Sequence, residues 1–128
     1  GLFLCDGWIT FPLRKGERMS EAHEQKAVIA YCDEAGIPIF HIPNGGKRNP
    51  REASNLKAQG VRAGVPDLFV PIAANGSHGL FIEMKAAKGR VSEKQREWLG
   101  LLDSQGYRTA VCFGAGQAID VLKGYLDG

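Results

Sequence analysis

The chain has 128 residues, 44% of them hydrophobic, which is enough to bury one proper core and too few for two ordinary domains. Sixteen Lys plus Arg against fourteen Asp plus Glu leave a net charge of +2, so the overall balance does not announce a polyanion partner and the distribution of the cations has to carry that argument. Cys5, Cys32 and Cys112 are far apart, as are His23, His41 and His78, a spacing that supports neither a zinc cluster nor a disulfide framework and fits a reducing, cytoplasmic setting.

The opening Gly1 to Thr10 is apolar, but it lacks a basic leader and is far shorter than a membrane span, so no signal or anchor is expected there. Residues 1–18 are left as an extension without an assigned role, and the domain is placed at 19–128. Ser20 is a good N-cap, Glu24, Val28, Tyr31 and Ala35 recur at helical spacing, and Gly36 supplies a stop, which predicts a helix over 21–35. Residues 37–43 are β-branched and bounded by Pro38 and Pro43, as expected of a brief strand leading into the Asn44-Gly45-Gly46 turn. Asn49, Pro50 and Glu52 fit the N-cap, N1 and N3 positions of a short helix that runs to about Gln59 and stops at Gly60.

Residues 67–72 and 80–85 flank Asn75-Gly76 and read as two strands joined in an antiparallel hairpin. Ser92 with Gln95 forms a capping box for a helix through Gln105, closed by Gly106. A strand over 107–113 and a helix over roughly 117–126 complete the chain. This order predicts a mixed α/β fold, a mixed sheet covered by helices on both faces, because the strands are apolar on both sides.

The chemistry concentrates on the hairpin. Side chains alternate along a strand, so Glu83 and Lys85 project from one face, and Asp67, at the start of the partner strand, can reach across to Glu83. Two carboxylates in an apolar sheet call for a cation, and oxygen-only ligands favour Mg2+ or Mn2+ over zinc. Such an ion leaves positions open for a phosphodiester, with Lys85 placed to orient the attacking water or to stabilise the phosphate oxygens. An isolated Glu-x-Lys is more often a plain surface ion pair. Pro66-Asp67 ahead of it makes the joint pattern far more specific.

Two basic runs, residues 47–51 and 85–90, each precede a helix start, where cations and freed N–H groups suit phosphate. Arg51, Arg62, Lys88 and Arg90 are accordingly candidate DNA contacts, together with His41, Asn44, Lys47 and Arg48. Simple solvation of the cations and strand-end capping by Asn44 are the competing readings.

Three ordered motifs, Gly64-Val65-Pro66-Asp67-Leu68, Phe81-Ile82-Glu83-Met84-Lys85 and Val91-Ser92-Glu93-Lys94-Gln95, resemble the virus-type replication-repair nuclease (VRR-NUC) family of the PD-(D/E)XK superfamily. The similarity runs from about Glu21 to Leu126 and takes in the segment His41 to Asn44. It implies a core of order αβββαβ, with the helix at 50–59 as an insertion. It also implies Asp67 and Glu83 as metal ligands, the Met84 carbonyl as a further one, Lys85 as the catalytic lysine and Gln95 as the last motif member. The acid that the family carries on its first helix is expected to be Glu24, with Glu21 as the fallback; the competing role for either is a favourable charge near a helix N-terminus. Gln95 has a competing role too, since a capping box needs no catalysis.

A stand-alone chain of this kind resembles phage- and prophage-encoded members, some of which act as dimers on branched DNA such as Holliday junctions. A homodimeric, structure-selective endonuclease in a bacterial host cytoplasm is the expectation, with no membrane and no nucleotide cofactor. A general or flap endonuclease of repair is the alternative within enzymes, and a nucleic-acid-binding module without catalysis is the alternative of another class. No G-x-S-x-G elbow or phosphate-binding G-x-x-x-x-G-K-[ST] loop is present, which excludes those hydrolases.

Overall fold

The structure is a computed structural model that describes residues 20–44 and 49–128 in full, and of the first nineteen residues the backbone of 3–5 and 8–10. Those two short segments are strands β1 (Phe3–Cys5) and β2 (Trp8–Thr10), paired antiparallel in the stretch for which the sequence predicted no element. Helix α1 (Glu21–Ala35) follows, capped by the Ser20 hydroxyl, which accepts from the His23 N–H, and ended by Gly36 in the left-handed conformation. Its buried side chains are Val28 and Cys32, so the stripe facing the core is turned slightly from the one the spacing predicted.

The second, larger sheet has the order β3-β4-β5-β6. Its edge strand β3 is only Phe40–His41, shorter than the predicted 37–43, since Pro38 and Pro43 have no N–H to give the ladder. Helix α2 (Pro50–Ala58) begins as predicted, with Asn49 accepting from the Glu52 N–H, and buries none of its residues. Strands β4 (Leu68–Val70) and β5 (Leu80–Lys85) pair antiparallel through a turn in which Asn75 and Gly76 both have positive φ, the pairing that an Asn-Gly sequence favours. Helix α3 (Glu93–Ser104) is the crossover to β6 (Arg108–Phe113), which lies parallel to β5, and helix α4 (Ala115–Asp127) ends the chain.

The expected mixed sheet with helices on both faces is thus present. On one face Leu68, Val70, Leu80, Ile82, Met84 and Cys112 pack against Val28 and Cys32 of α1 and against Ala115, Ala118, Ile119, Leu122 and Tyr125 of α4. These residues form the core; removing one of its large aliphatic side chains would cost about 2–5 kcal/mol. The thiols of Cys32 and Cys112 are buried in it and pushed up to about 11 by burial, helped at Cys32 by the Asp33 charge, which keeps both protonated and inert. The other face carries an aromatic run in which Phe69 stacks on Phe81 at 4.3 Å between ring centres and Tyr107 meets both edge-on. Tyr125 ties α4 to the hairpin: its hydroxyl donates to the Ile72 carbonyl at 2.6 Å, and its carbonyl accepts from Asn75 Nδ2 at 2.7 Å.

Candidate active site

The hairpin register creates the site. Leu68 pairs with Ile82, which sets Asp67, one residue earlier, opposite Glu83. Both are held out of water, Asp67 at 9% exposure and Glu83 at 2%, and Lys85 beside them at 8%. Three charged groups at such depth need partners, and each has one. Asp67 Oδ2 accepts from the Met84 N–H at 2.8 Å, which fixes the carboxylate across the hairpin. Lys85 Nζ stands 3.5 Å from Glu83 Oε2 and donates to Gln95 Oε1 at 2.7 Å, while Gln95 Nε2 donates to Glu83 Oε2 at 3.2 Å.

Gln95 therefore does two things that the sequence offered as alternatives. It completes the capping box, its Oε1 accepting from the Ser92 N–H at 2.8 Å and its own N–H donating to Ser92 Oγ at 3.2 Å, and it bridges Lys85 to Glu83. The cap fixes the amide, and the amide fixes the lysine.

The two acids of the first helix are placed apart. Carboxylate oxygens of Glu21, Asp67 and Glu83 lie within 4.8 Å of one another, so Glu21, the fallback, is the residue that joins the pair. Glu24 points elsewhere: its Oε2 accepts from the Ala115 N–H at 2.6 Å and so serves the start of α4. The physical reason lies in the packing of α1. With Val28 and Cys32 turned to the core, Glu24, four residues before Val28, projects toward α4, and Glu21 is carried to the end of the hairpin.

Electrostatics follow from this crowding. Burial, and then the neighbouring Asp67 carboxylate, push Glu83 up to about 8, with Lys85 opposing the shift. Glu21 is raised as well, by burial first and Asp67 second, again against Lys85. Glu83 Oε1 is the one buried side-chain oxygen among the described residues that has no hydrogen-bond partner. A negative pocket with an orphaned oxygen suits a hard divalent cation: oxygen ligands are in place, and a cation would relieve both the orphan and the carboxylate repulsion.

The residues expected to meet DNA divide into groups. His41 and Asn44 are engaged with the protein: His41 Nδ1 is 2.8 Å from the Asp67 carbonyl, and Asn44 Nδ2 donates to the Val65 carbonyl. Together with the Ile42 N–H, which also donates to the Asp67 carbonyl at 2.7 Å, they brace the backbone that presents Asp67. Both side chains thus have protein partners, and the exposed His41 ring keeps an open edge. Arg51, Lys88 and Arg90 are exposed, and Arg62 is exposed but tied back, donating from Nη1 to the Lys57 carbonyl at 2.7 Å. Lys47 and Arg48 lie outside the described residues. No signal in the sequence marked the bracing of Val65 and Asp67, because both contacts join segments more than twenty residues apart.

Comparison with known proteins bears on the family and the fold. The family model of the VRR-NUC domain matches residues 45–116. A solved structure described as a VRR-NUC domain protein is similar at 28% identity, over 85% of this chain and 89% of that one, with a TM-score of 0.73. A search of curated proteins gave no match.

Proposed function

The chain belongs to the VRR-NUC family, whose fold and nuclease class it shares, and on that premise we propose that it is a divalent-metal-dependent DNA endonuclease using Asp67, Glu83, Lys85 and Gln95, with Glu21 as the helix acid. The observation that carries the proposal is the acidic triplet with its orphaned Glu83 oxygen directly beside the Lys85 ammonium.

Asp67, Glu83 and Glu21 are the residues that would hold the ion, with the Met84 carbonyl as a further donor. Bound there, Mg2+ or Mn2+ would neutralise charge on the scissile phosphate and acidify water. The chain's own groups do the rest. The Met84 N–H holds Asp67 in one orientation, so the ligand set is preformed. Lys85, gripped by Gln95 Oε1 and Glu83 Oε2, keeps one N–H donor for a phosphate oxygen or the attacking water. Water would add to phosphorus opposite the leaving oxygen, giving up a proton to solvent as the bond to that oxygen breaks and the departing oxygen takes a proton up, and the configuration would invert. The exposed Lys88 and Arg90, in the loop leading to α3, offer cations to the flanking phosphates.

The finer reading is a structure-selective enzyme of a phage or prophage, acting in the host cytoplasm as a two-fold dimer on branched DNA. It rests on the resemblance to phage-encoded members and on the economy of setting two sites against two strands by symmetry. No described helix is long and apolar enough to cross a membrane.

The test is cleavage of labelled four-way junction, flap and linear duplex DNA in Mg2+, Mn2+ or EDTA, with Asp67→Ala, Lys85→Ala and Glu21→Ala beside the unaltered chain. Metal-dependent cutting that all three variants lose supports the site, and the substrate ranking decides between junction and flap. DNA binding with no cutting under any condition would show a binding module instead.

A further inference from the structure

We infer that the cleft between α2 and α3 receives one unpaired nucleotide of the DNA, its base laid on Trp98 and its phosphates on Lys57, Arg62 and Lys94. The inference rests on the nuclease reading and adds to it the feature that would make the enzyme prefer interrupted DNA.

Helix α2 buries none of its residues and faces α3 across a cavity of about 620 Å³. That volume is within the range of small-molecule sites, which run from about 300 to 1,000 Å³. Its apolar lining includes Leu56 and Trp98, while Lys57, Arg62, Lys94 and Glu97 supply its charges. Three cations to one carboxylate favour an anionic occupant with one donor-bearing edge. A nucleotide has that chemistry: phosphate for the ammonium and guanidinium groups, a flat face for the indole, and an exocyclic amino group for Glu97. A paired base offers neither its faces nor its hydrogen-bonding edge, so the cleft selects an unstacked one.

The cleft adjoins the acids through short connections. Lys94 precedes Gln95, which holds Lys85 and Glu83. Gly64 has φ +91 and lies so close to the Lys94 backbone that a Cβ there would stand 2.7 Å from its carbonyl carbon, so the loop into Asp67 and the first turn of α3 touch. Asn44, another lining residue, holds the Val65 carbonyl, two residues before Asp67. A nucleotide in the cleft would therefore sit beside the strand whose phosphate reaches the acids.

The experiment uses the full chain in EDTA, which holds cleavage off, and a duplex carrying 2-aminopurine either as a single unpaired nucleotide or fully paired. The expected result is quenching of the unpaired probe on binding, and affinity about tenfold higher than for the paired duplex. Trp98→Leu should abolish the quenching and bring the two affinities within about twofold, whereas Trp98→Phe should keep most of the preference. Lys57→Glu combined with Lys94→Glu should weaken the unpaired complex more than the paired one, which keeps the inference testable if Trp98→Leu does not fold. Equal affinity for the two DNAs, or undiminished quenching in folded Trp98→Leu, would overturn it. So would 2-aminopurine-independent dimerisation of the chain that Trp98→Leu disrupts, since a second copy would then fill the cleft. Cutting of linear duplex in Mn2+, with Asp67→Ala as control, is scored separately, so loss of the nuclease reading and loss of the subsite give different patterns.

Discussion

Helices α3 and α4 start in opposite ways. The first N–H groups of α3 are satisfied by its own residues, Ser92 and Gln95, three positions apart. The N-cap of α4 is Gly114, which has φ +100 and no side chain to cap with, and the Ala115 N–H is served by Glu24 from 91 positions away. A local cap can be read in a sequence, and its side chain can serve a second contact as well, as Gln95 does in bridging Lys85 and Glu83. A distant cap draws its residue to another element, as Glu24 is drawn to Ala115, and nothing nearby in the sequence announces it.

The largest effect should come from breaking the cap that has two jobs. Gln95→Ala should lower cleavage roughly 10- to 100-fold, the usual loss when a group that orients the working residue is removed. Measured against the melting temperature, a fall in stability with no fall in rate would leave Gln95 as a helix cap alone.

Next comes the acid that the Gln95 amide touches. Glu83 is raised from 4.5 to about 8, so the folded protein holds a proton that the unfolded chain gives up. The associated stability is complete below about pH 4.5, declines as the pH rises, and is gone above about pH 8. Without metal, the protein should melt lower at pH 8 than at pH 5, and Glu83→Gln should flatten that slope; an unchanged slope in the variant would assign the effect to other groups.

The distant cap should break differently. Glu24→Ala should cost about 1–3 kcal/mol, because the Ala115 N–H loses a charged acceptor, with the cleavage rate of the folded protein retained. Loss of cutting at unchanged melting temperature would return Glu24 to the catalytic set and remove Glu21 from it. Smallest of all, Ser92→Ala should cost about 1 kcal/mol and shift cleavage only as far as Gln95 is loosened, which thermal melts and rates read together.

The same contrast explains what was legible. Helices α1, α2 and α3 stand where their caps predict, since Ser20, Asn49 and Ser92 each bond an N–H three residues on. The hairpin was legible through Asn75-Gly76, and with it the juxtaposition of Asp67 and Glu83. Helix α4 was foreseen too short, starting at 117 instead of Ala115, because its cap is tertiary. Glu21 and Glu24 could not be separated from sequence: both lie in the first turn of α1, and the turn of that helix about its axis is decided by packing against α4 and the sheet. His41 and Asn44 look like free polar residues until the chain folds and their partners, the Asp67 and Val65 carbonyls, arrive.

The turn at Asn75-Gly76 also bears on the order of folding. Hairpin closure is a local event, fast compared with docking of distant elements, so Asp67 and Glu83 are brought together early. Glu21 joins them when α1 docks, which brings a third carboxyl group to the cluster. A cation shared by the three acids would therefore clamp α1 to the hairpin, and divalent ions should protect the first turn of α1 from local opening more than they protect the hairpin itself.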